Sequence, residues 1–166
     1  MEIVKGTLED CKELAEIERQ CFPLTQAADE KTFYERLKVY PDHFWLLKDE
    51  KGKIISFVNG MCTDIEDLSD EMYANAAMHN ERGEWQMIFG VDTLPAYRHC
   101  GYAYTLLEKC LEEAKAAGRT GAVLTCLRNM IPFYERLGFV SEGVSESTHG
   151  DTEWYQMRIL FKKYLL

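Results

Sequence analysis

Apolar residues recur along this chain in two periods, and the switches between them mark its elements. Ala103, Leu107, Cys110, Ala114 and Ala117 fall at helical spacing with Leu106 and Leu111 beside them, while Glu108, Lys109, Glu112, Glu113 and Lys115 fill the other side. This pattern predicts a long amphipathic helix that begins close to Gly101 and is stopped by Gly118. Residues 85–93 instead alternate Trp85, Met87, Phe89, Val91 and Thr93 against Gln86, Ile88, Gly90 and Asp92, a strand with one strongly apolar face. The apolar run 121–127 predicts a buried strand after the helix, so strand, helix and strand follow in the order of a right-handed crossover.

The flanking segments read the same way. Residues 2–5 predict a first strand, and Thr7 caps a helix that runs through Cys11, Leu14, Ala15 and Ile17 to Glu18. A second helix is expected over 29–39, with Phe33, Leu37 and Val39 on its apolar side. Residues 44–47 and 53–61 are rich in strand formers, and the intervening DEKGK is a turn signal, which predicts an antiparallel hairpin. Residues 130–137 predict a short helix stopped by Gly138, and 153–163 a last, half-exposed strand. No repeat or linker interrupts the order, so the expectation is one domain over 1–166: a mixed α/β (α+β) sheet with helices on both faces.

Composition narrows the partners. A formal charge of -9 and a pI near 5.0 argue against nucleic acid and mildly favour a cationic substrate. The six cysteines form no C-x-x-C pair and the four histidines add no ligand spacing, which predicts a reduced, cytoplasmic protein without a structural metal. The first residues are too polar for a signal sequence, and no apolar stretch is long enough to span a bilayer. Residues 64–83 are strongly acidic, as expected either of a solvated connection or of an acidic rim over a pocket.

The candidate chemistry lies where the strand meets the long helix. Arg98, His99, Cys100, Gly101, Tyr102 and Ala103 precede or open the helix, whose first unpaired N–H groups point back into them, an anion site in outline. This segment resembles the R/Q-x-x-G-x-G/A signature of the GCN5-related N-acetyltransferases. Pro95 and Tyr97 match the P-x-Y-R lead-in, and Pro132-Phe133-Tyr134-Glu135-Arg136-Leu137-Gly138-Phe139 resembles the second signature of that family. Towards both ends, Glu18-Arg19-Gln20-Cys21-Phe22, Asn59-Gly60, Met78-His79 and Cys126 resemble the arylalkylamine (serotonin) branch and its bacterial relatives.

The resemblance implies a mostly antiparallel sheet of six to seven strands, splayed at its centre around acetyl coenzyme A. It implies the pyrophosphate on residues 98–103 and the pantetheine arm along Val91, Asp92 and Thr93, with the Val91 or Asp92 amide polarising the thioester and Asn129 and Tyr134 also against the donor. Tyr134 is the expected general acid, since a phenol can protonate the departing thiolate. Glu84, at the entry of the strand, is the candidate base; His79 shares its neighbourhood in sequence, and Asp92 ranks lower because it faces away from Val91 and Thr93. The vertebrate enzymes of the branch carry two histidines where an ungapped alignment places Met87 and Phe89, so their proton route does not transfer. Phe22, Pro23 and Leu24, with Met87 and Phe89, are expected to form an apolar acceptor slot. Cys100 is expected to be a tolerated small residue, direct transfer needing no acyl-enzyme.

These readings predict direct acetyl transfer from acetyl-CoA to a small aromatic or alkyl primary amine, by a monomer or homodimer that binds neither nucleic acid nor membrane. Acetylation of a protein N-terminus or lysine is the second reading, and a catalytically silent acyl-CoA-binding module the third.

Overall fold

The computed structural model describes residues 1–162. Its strands are β1 (Glu2–Lys5), β2 (Phe44–Lys48), β3 (Ile54–Asn59), β4 (Cys62–Thr63), β5 (Trp85–Ile88), β6 (Gly90–Thr93), β7 (Gly121–Cys126), β8 (Val140–Val144) and β9 (Tyr155–Leu160). Five α-helices accompany them: α1 (Cys11–Cys21), α2 (Glu30–Val39), α3 (Asp70–Ala74), α4 (Tyr102–Ala116) and α5 (Ile131–Arg136).

The strands form two sheets, β1-β2-β3-β6 and β4-β5-β7-β9-β8. Every pairing is antiparallel except β5 with β7, where Trp85 faces Gly121 and Ile88 faces Leu124. That parallel pair is the predicted crossover, with α4 as its connection. Taking β5 and β6 as one strand and setting aside the two-residue β4 leaves seven, the upper end of the expected number.

The predicted strand over 85–93 is in fact two segments, and this break organises the molecule. At Phe89 the chain leaves β7 and passes to β3, with Phe89 N–H bonded to the Asn59 carbonyl at 2.8 Å. On the paired edge the strands stay close: Met87 N–H donates to Met61 O at 2.7 Å, and a Cβ on Gly60 would stand 1.8 Å from Met87 O, so only glycine fits there. On the other edge β6 and β7 part. The last residues of β7, Thr125 and Cys126, pair with β9 and leave a cleft towards β6.

Helices close the sheets as their apolar stripes require. Leu106, Leu107, Cys110 and Ala114 of α4 are buried against β2, β3, β6 and β7, while α1 packs on α2 and on β6. Thr7 and Asp10 form a reciprocal cap before α1, although the turn they cap directly is the short 3-10 segment Leu8–Asp10. Asp29 caps α2 by accepting from Thr32 N–H at 2.8 Å.

Three departures follow from tertiary context. The acidic connection 64–83 contains α3 and a 3-10 turn and does not run free of the fold. β8, whose sequence VSEGV has no apolar alternation, forms by pairing with β9. The expected last strand, 153–163, is shorter at Tyr155–Leu160, and Lys163 lies outside the described residues. No described helix is long and apolar enough to cross a membrane.

Candidate active site

The cleft between β6 and β7 opens into a cavity of about 1360 Å³. Its donor end is built by the loop before α4. His99 (φ 63) and Gly101 (φ 82) both adopt left-handed backbone, which turns the loop in on itself ahead of the helix. A Cβ on Gly101 would meet no atom within 4 Å, so the constraint on this glycine is its φ and not local crowding by the protein. The first intrahelical bond runs from Thr105 N–H to Gly101 O at 3.0 Å, which leaves the amides of Tyr102, Ala103 and Tyr104 for a phosphate. Arg98, His99, Gly101, Tyr102 and Ala103 line the cavity, with Arg98 Nε donating to Thr93 O at 3.2 Å. Cys100 is exposed and outside the lining; its Sγ lies 3.5 Å from Arg98 O.

Alternation along β6 divides its backbone between two tasks. Leu94 N–H bonds to Ile55 O at 3.0 Å and Asp92 O accepts from Ser56 Oγ at 2.7 Å, so even-numbered residues address β3. Odd-numbered Val91 and Thr93 therefore turn their backbone towards the cleft, where both line the cavity. Of the two amides considered for the thioester carbonyl, geometry favours Val91; that of Asp92 belongs to the sheet.

Tyr134 enters the cavity from α5 with only 6% of its surface exposed, held edge-to-face between Phe133 and Phe139 at 5.0 and 5.9 Å. Burial, reinforced by the neighbouring Cys126, Asp92 and Tyr73, raises the phenol pKa, so it keeps its proton. Asn129 and Phe133 also line this end. Burial pushes the Cys126 thiol nearby up to about 11, which makes it a poor nucleophile.

The acceptor end is assembled from three connections. Phe22 and residues 26–29 of the α1–α2 loop contribute one wall, α3 a second through Asp70 and Tyr73, and the β8–β9 connection a third through His149 and Trp154. Tyr73 packs on Phe89 at 4.7 Å and stacks on His149 at 5.3 Å with an interplanar angle of 5°. His149 Nε2 donates to Gln26 O at 2.8 Å, and Asp70 accepts from Thr148 N–H at 3.1 Å, so the three connections are tied together. Below them, Glu18 and Arg36 reach the cavity from α1 and α2.

Besides Cys100, six residues considered for the site stand outside the cavity. Glu84 sits about 20 Å of strand before the split, exposed and hydrogen-bonded to Thr120, because β5 enters the sheet from the opposite end. Met87 is fully buried in the core because the β5 pleat turns it away from the cleft. Pro23 and Leu24 do not line the cavity, and Leu24 is 82% exposed. Asp92 does face away from Val91 and Thr93, as expected, but into a closed interior beside Glu18. His79 is packed between Tyr40 and His43, its Nδ1 accepting from Cys62 N–H at 3.0 Å, and lies outside the cavity.

Glu18, Arg36, Tyr73, His149 and Trp154 were not anticipated as site residues. Two carried a signal: Glu18 shares the apolar face of α1 with Leu14, and Arg36 that of α2 with Phe33 and Leu37, where a lone charge asks for a buried partner. The others carry no local pattern. Metal-ligand types also gather away from the cavity, where donor atoms of His43, Cys62 and Glu81 lie within 4.8 Å of one another. His43 already bonds Gln86 and Glu81, and Arg119 pairs with Glu81, so a hydrogen-bonded network accounts for them.

The chain matches known proteins in sequence and in fold. A sequence model of the Acetyltransferase (GNAT) family fits residues 11–139. The loading GNATL domain of CurA from Lyngbya majuscula superposes with a TM-score of 0.82 at 17% identity, covering 96% of each chain. The ribosomal-protein-S18-alanine N-acetyltransferase from Escherichia coli gives 0.73 at 18% identity, over 98% of this chain and 95% of that one. Naa20 from Chaetomium thermophilum, solved with a bisubstrate analogue, gives 0.72 at 20%, over 97% and 87%. At such identities the structural likeness speaks for the fold, and the family match for the chemistry. This chain belongs to the acetyltransferase (GNAT) family, as an N-acetyltransferase that takes its acetyl group from acetyl-CoA.

Proposed function

We propose that this enzyme acetylates a small primary amine carrying an aromatic or alkyl group, in the manner of the arylalkylamine branch. The observation that carries the reading is the acceptor end of the cavity. Phe89, Tyr73, His149 and Trp154 supply flat apolar surface, and the Glu18 carboxylate beneath them supplies negative charge. An arylalkylammonium ion presents the complement of both, a ring at one end and a cation at the other.

The donor end fixes the thioester for attack. Amides at the start of α4 and Arg98 hold the pyrophosphate, and the Val91 N–H polarises the acetyl carbonyl where β6 parts from β7. Held protonated by burial, the Tyr134 phenol is placed to give its proton to the sulfur as the C–S bond breaks.

Acetylation of a peptide N-terminus is the second reading, favoured by the two structural neighbours described as an N-acetyltransferase of a ribosomal protein and as Naa20. A panel separates the two: thiol release from acetyl-CoA with tryptamine, phenylethylamine, spermidine and a peptide beginning in alanine. Tryptamine or phenylethylamine is expected to give the highest kcat/KM. A higher value for the peptide or for spermidine overturns the small-arylalkylamine reading.

A further inference from the structure

Where β5 passes into β6, four side chains from four elements converge under the cavity floor. They are Glu18 of α1, Arg36 of α2, Asn59 of β3 and Asp92 of β6, all at least nine-tenths buried. Gly90 is their focus. A Cβ there would stand 3.0 Å from Asp92 Oδ1, 3.2 Å from Asn59 Nδ2 and 3.5 Å from Glu18 Oε1.

Four polar atoms of this cluster fix its shape. Glu18 Oε2 accepts from Ala28 N–H at 2.9 Å, Arg36 Nη1 donates to Asn59 Oδ1 at 2.9 Å, and Nη2 donates to Tyr73 O at 2.9 Å. Five more are left over: Glu18 Oε1, both Asp92 carboxyl oxygens, Asn59 Nδ2 and Arg36 Nε have no conventional partner among the described residues. Three of these atoms are carboxyl oxygens without a partner, and burying them as two carboxylates would be costly. A proton between the carboxyl groups removes that cost. Burial, then the charge of Glu18 and a hydrogen bond with it, raise the Asp92 pKa far above the usual carboxylate range.

We propose that Glu18 and Asp92 form a carboxyl pair holding one proton, and that Glu18, which lines the cavity, takes the proton of the acceptor's ammonium group. The proposal rests on the acetyl-transfer reading for its second half only. In the step, an N–H bond of the ammonium breaks and an O–H bond forms on Glu18. The freed nitrogen lone pair attacks the thioester carbon, and the C–S bond breaks with its electrons on sulfur. Tyr134 protonates the sulfur and is reprotonated by the second proton that the acetylated nitrogen sheds; the Glu18 proton leaves through the cavity to solvent.

The charge environment suits this transfer. Facing the pair are Arg36 from α2, Cys21 on α1, Tyr73 from α3 and Tyr134 from α5. Burial raises the thiol and both phenols, so Arg36 is the cation that balances the single carboxylate. Moving a proton from ammonium to Glu18 leaves the total charge of the closed site unchanged. Asp92, which the cavity does not reach, is a positioning residue: it donates its proton to Glu18 and keeps Oε1 turned under Gly90.

Two isosteric substitutions divide the claim. Infrared difference spectra across pH, on the free enzyme, should show a protonated carboxyl band at neutral pH that Asp92→Asn removes and Glu18→Gln retains. This readout needs no acceptor, so it decides the pair even if the amine panel fails; absence of the band overturns the pair. Glu18→Gln still offers an oxygen to Ala28 N–H, and its acetyl-CoA affinity should match wild type by calorimetry. With whichever panel compound is turned over fastest, its kcat/KM should fall roughly 10²-fold at neutral pH and recover as pH rises and free amine forms. A deficit of equal size at every pH, or no deficit, overturns the base role. If no panel compound is turned over, the base role falls with the transfer reading while the pair stands or falls on the spectra.

Discussion

Two buried polar clusters border the same strand pair, one at each end, and they differ in what their hydrogen bonds leave unused. At the end remote from the cavity, His43 bonds Gln86 at 3.0 Å through Nδ1 and Glu81 at 2.7 Å through Nε2, while Gln86 Nε2 donates to Met87 O at 2.8 Å. Arg119 Nη1 reaches the Glu81 and Gly83 carbonyls at 3.0 and 2.7 Å, leaving its Nε without a partner. Donors and acceptors there nearly balance, as in a polar network that fixes the fold. At the split, the cluster around Gly90 keeps several acceptor atoms unmatched and opens onto the cavity through Glu18. Both have buried members; partnerless carboxyl oxygens packed beneath the cavity belong to the second alone. Those oxygens set the two clusters apart, and a list of charged residues does not reveal them.

The contrast can be broken most sharply at the cavity. Tyr134→Phe keeps the ring between Phe133 and Phe139 and removes only the hydroxyl. Turnover should fall roughly 10²-fold with acetyl-CoA affinity unchanged, read from steady-state rates and calorimetry. A loss confined to affinity or to stability would make this end a packing region like the other.

The remote cluster should answer in the opposite currency. Arg119→Met strips the donors from the Glu81 and Gly83 carbonyls, which should lower stability by about 1–3 kcal/mol in denaturant titrations. Its kcat should stay at the wild-type value. A fall in kcat larger than the fall in folded fraction would join the two clusters functionally.

The smallest effect is a pH dependence of stability. Burial, then the neighbouring His43, pushes the His79 pKa down from 6.5 to about 4, so the folded protein keeps this ring neutral. Between those values the unfolded chain binds a proton that the folded chain does not, and stability therefore falls as pH drops from 6.5 towards 4. Chemical denaturation at a series of pH values should show this decline, flattened in His79→Gln. An unchanged decline in that variant would assign it to other groups.

The cavity end before α4 was legible in short contiguous stretches. The helix start at Gly101 and the loop before it are contiguous, and their unpaired amides follow from local backbone geometry, while the Pro132–Phe139 motif was legible through its resemblance to a family signature. The acceptor end was not. Met87 was expected beside the acceptor from the ungapped match to two histidine positions of the resembled branch, and neither that match nor alternation shows that β5 is covered on both faces. Glu84 was expected near the chemistry because closeness in sequence to the catalytic strand was read as closeness to the split, and strand rise separates the two.

What the sequence determined by itself was therefore local: the order of elements, the crossover of β5, α4 and β7, and a helix start with unpaired amides beside a glycine turn. Tertiary structure alone decided which charged residues meet. Glu18, Arg36, Asn59 and Asp92 come from four separate elements and converge on Gly90 only after the sheet splits. A carboxylate on a helix reads the same whether water or another carboxyl group faces it; the register of β3 against β6 and the packing of α1 on β6 settle which one does.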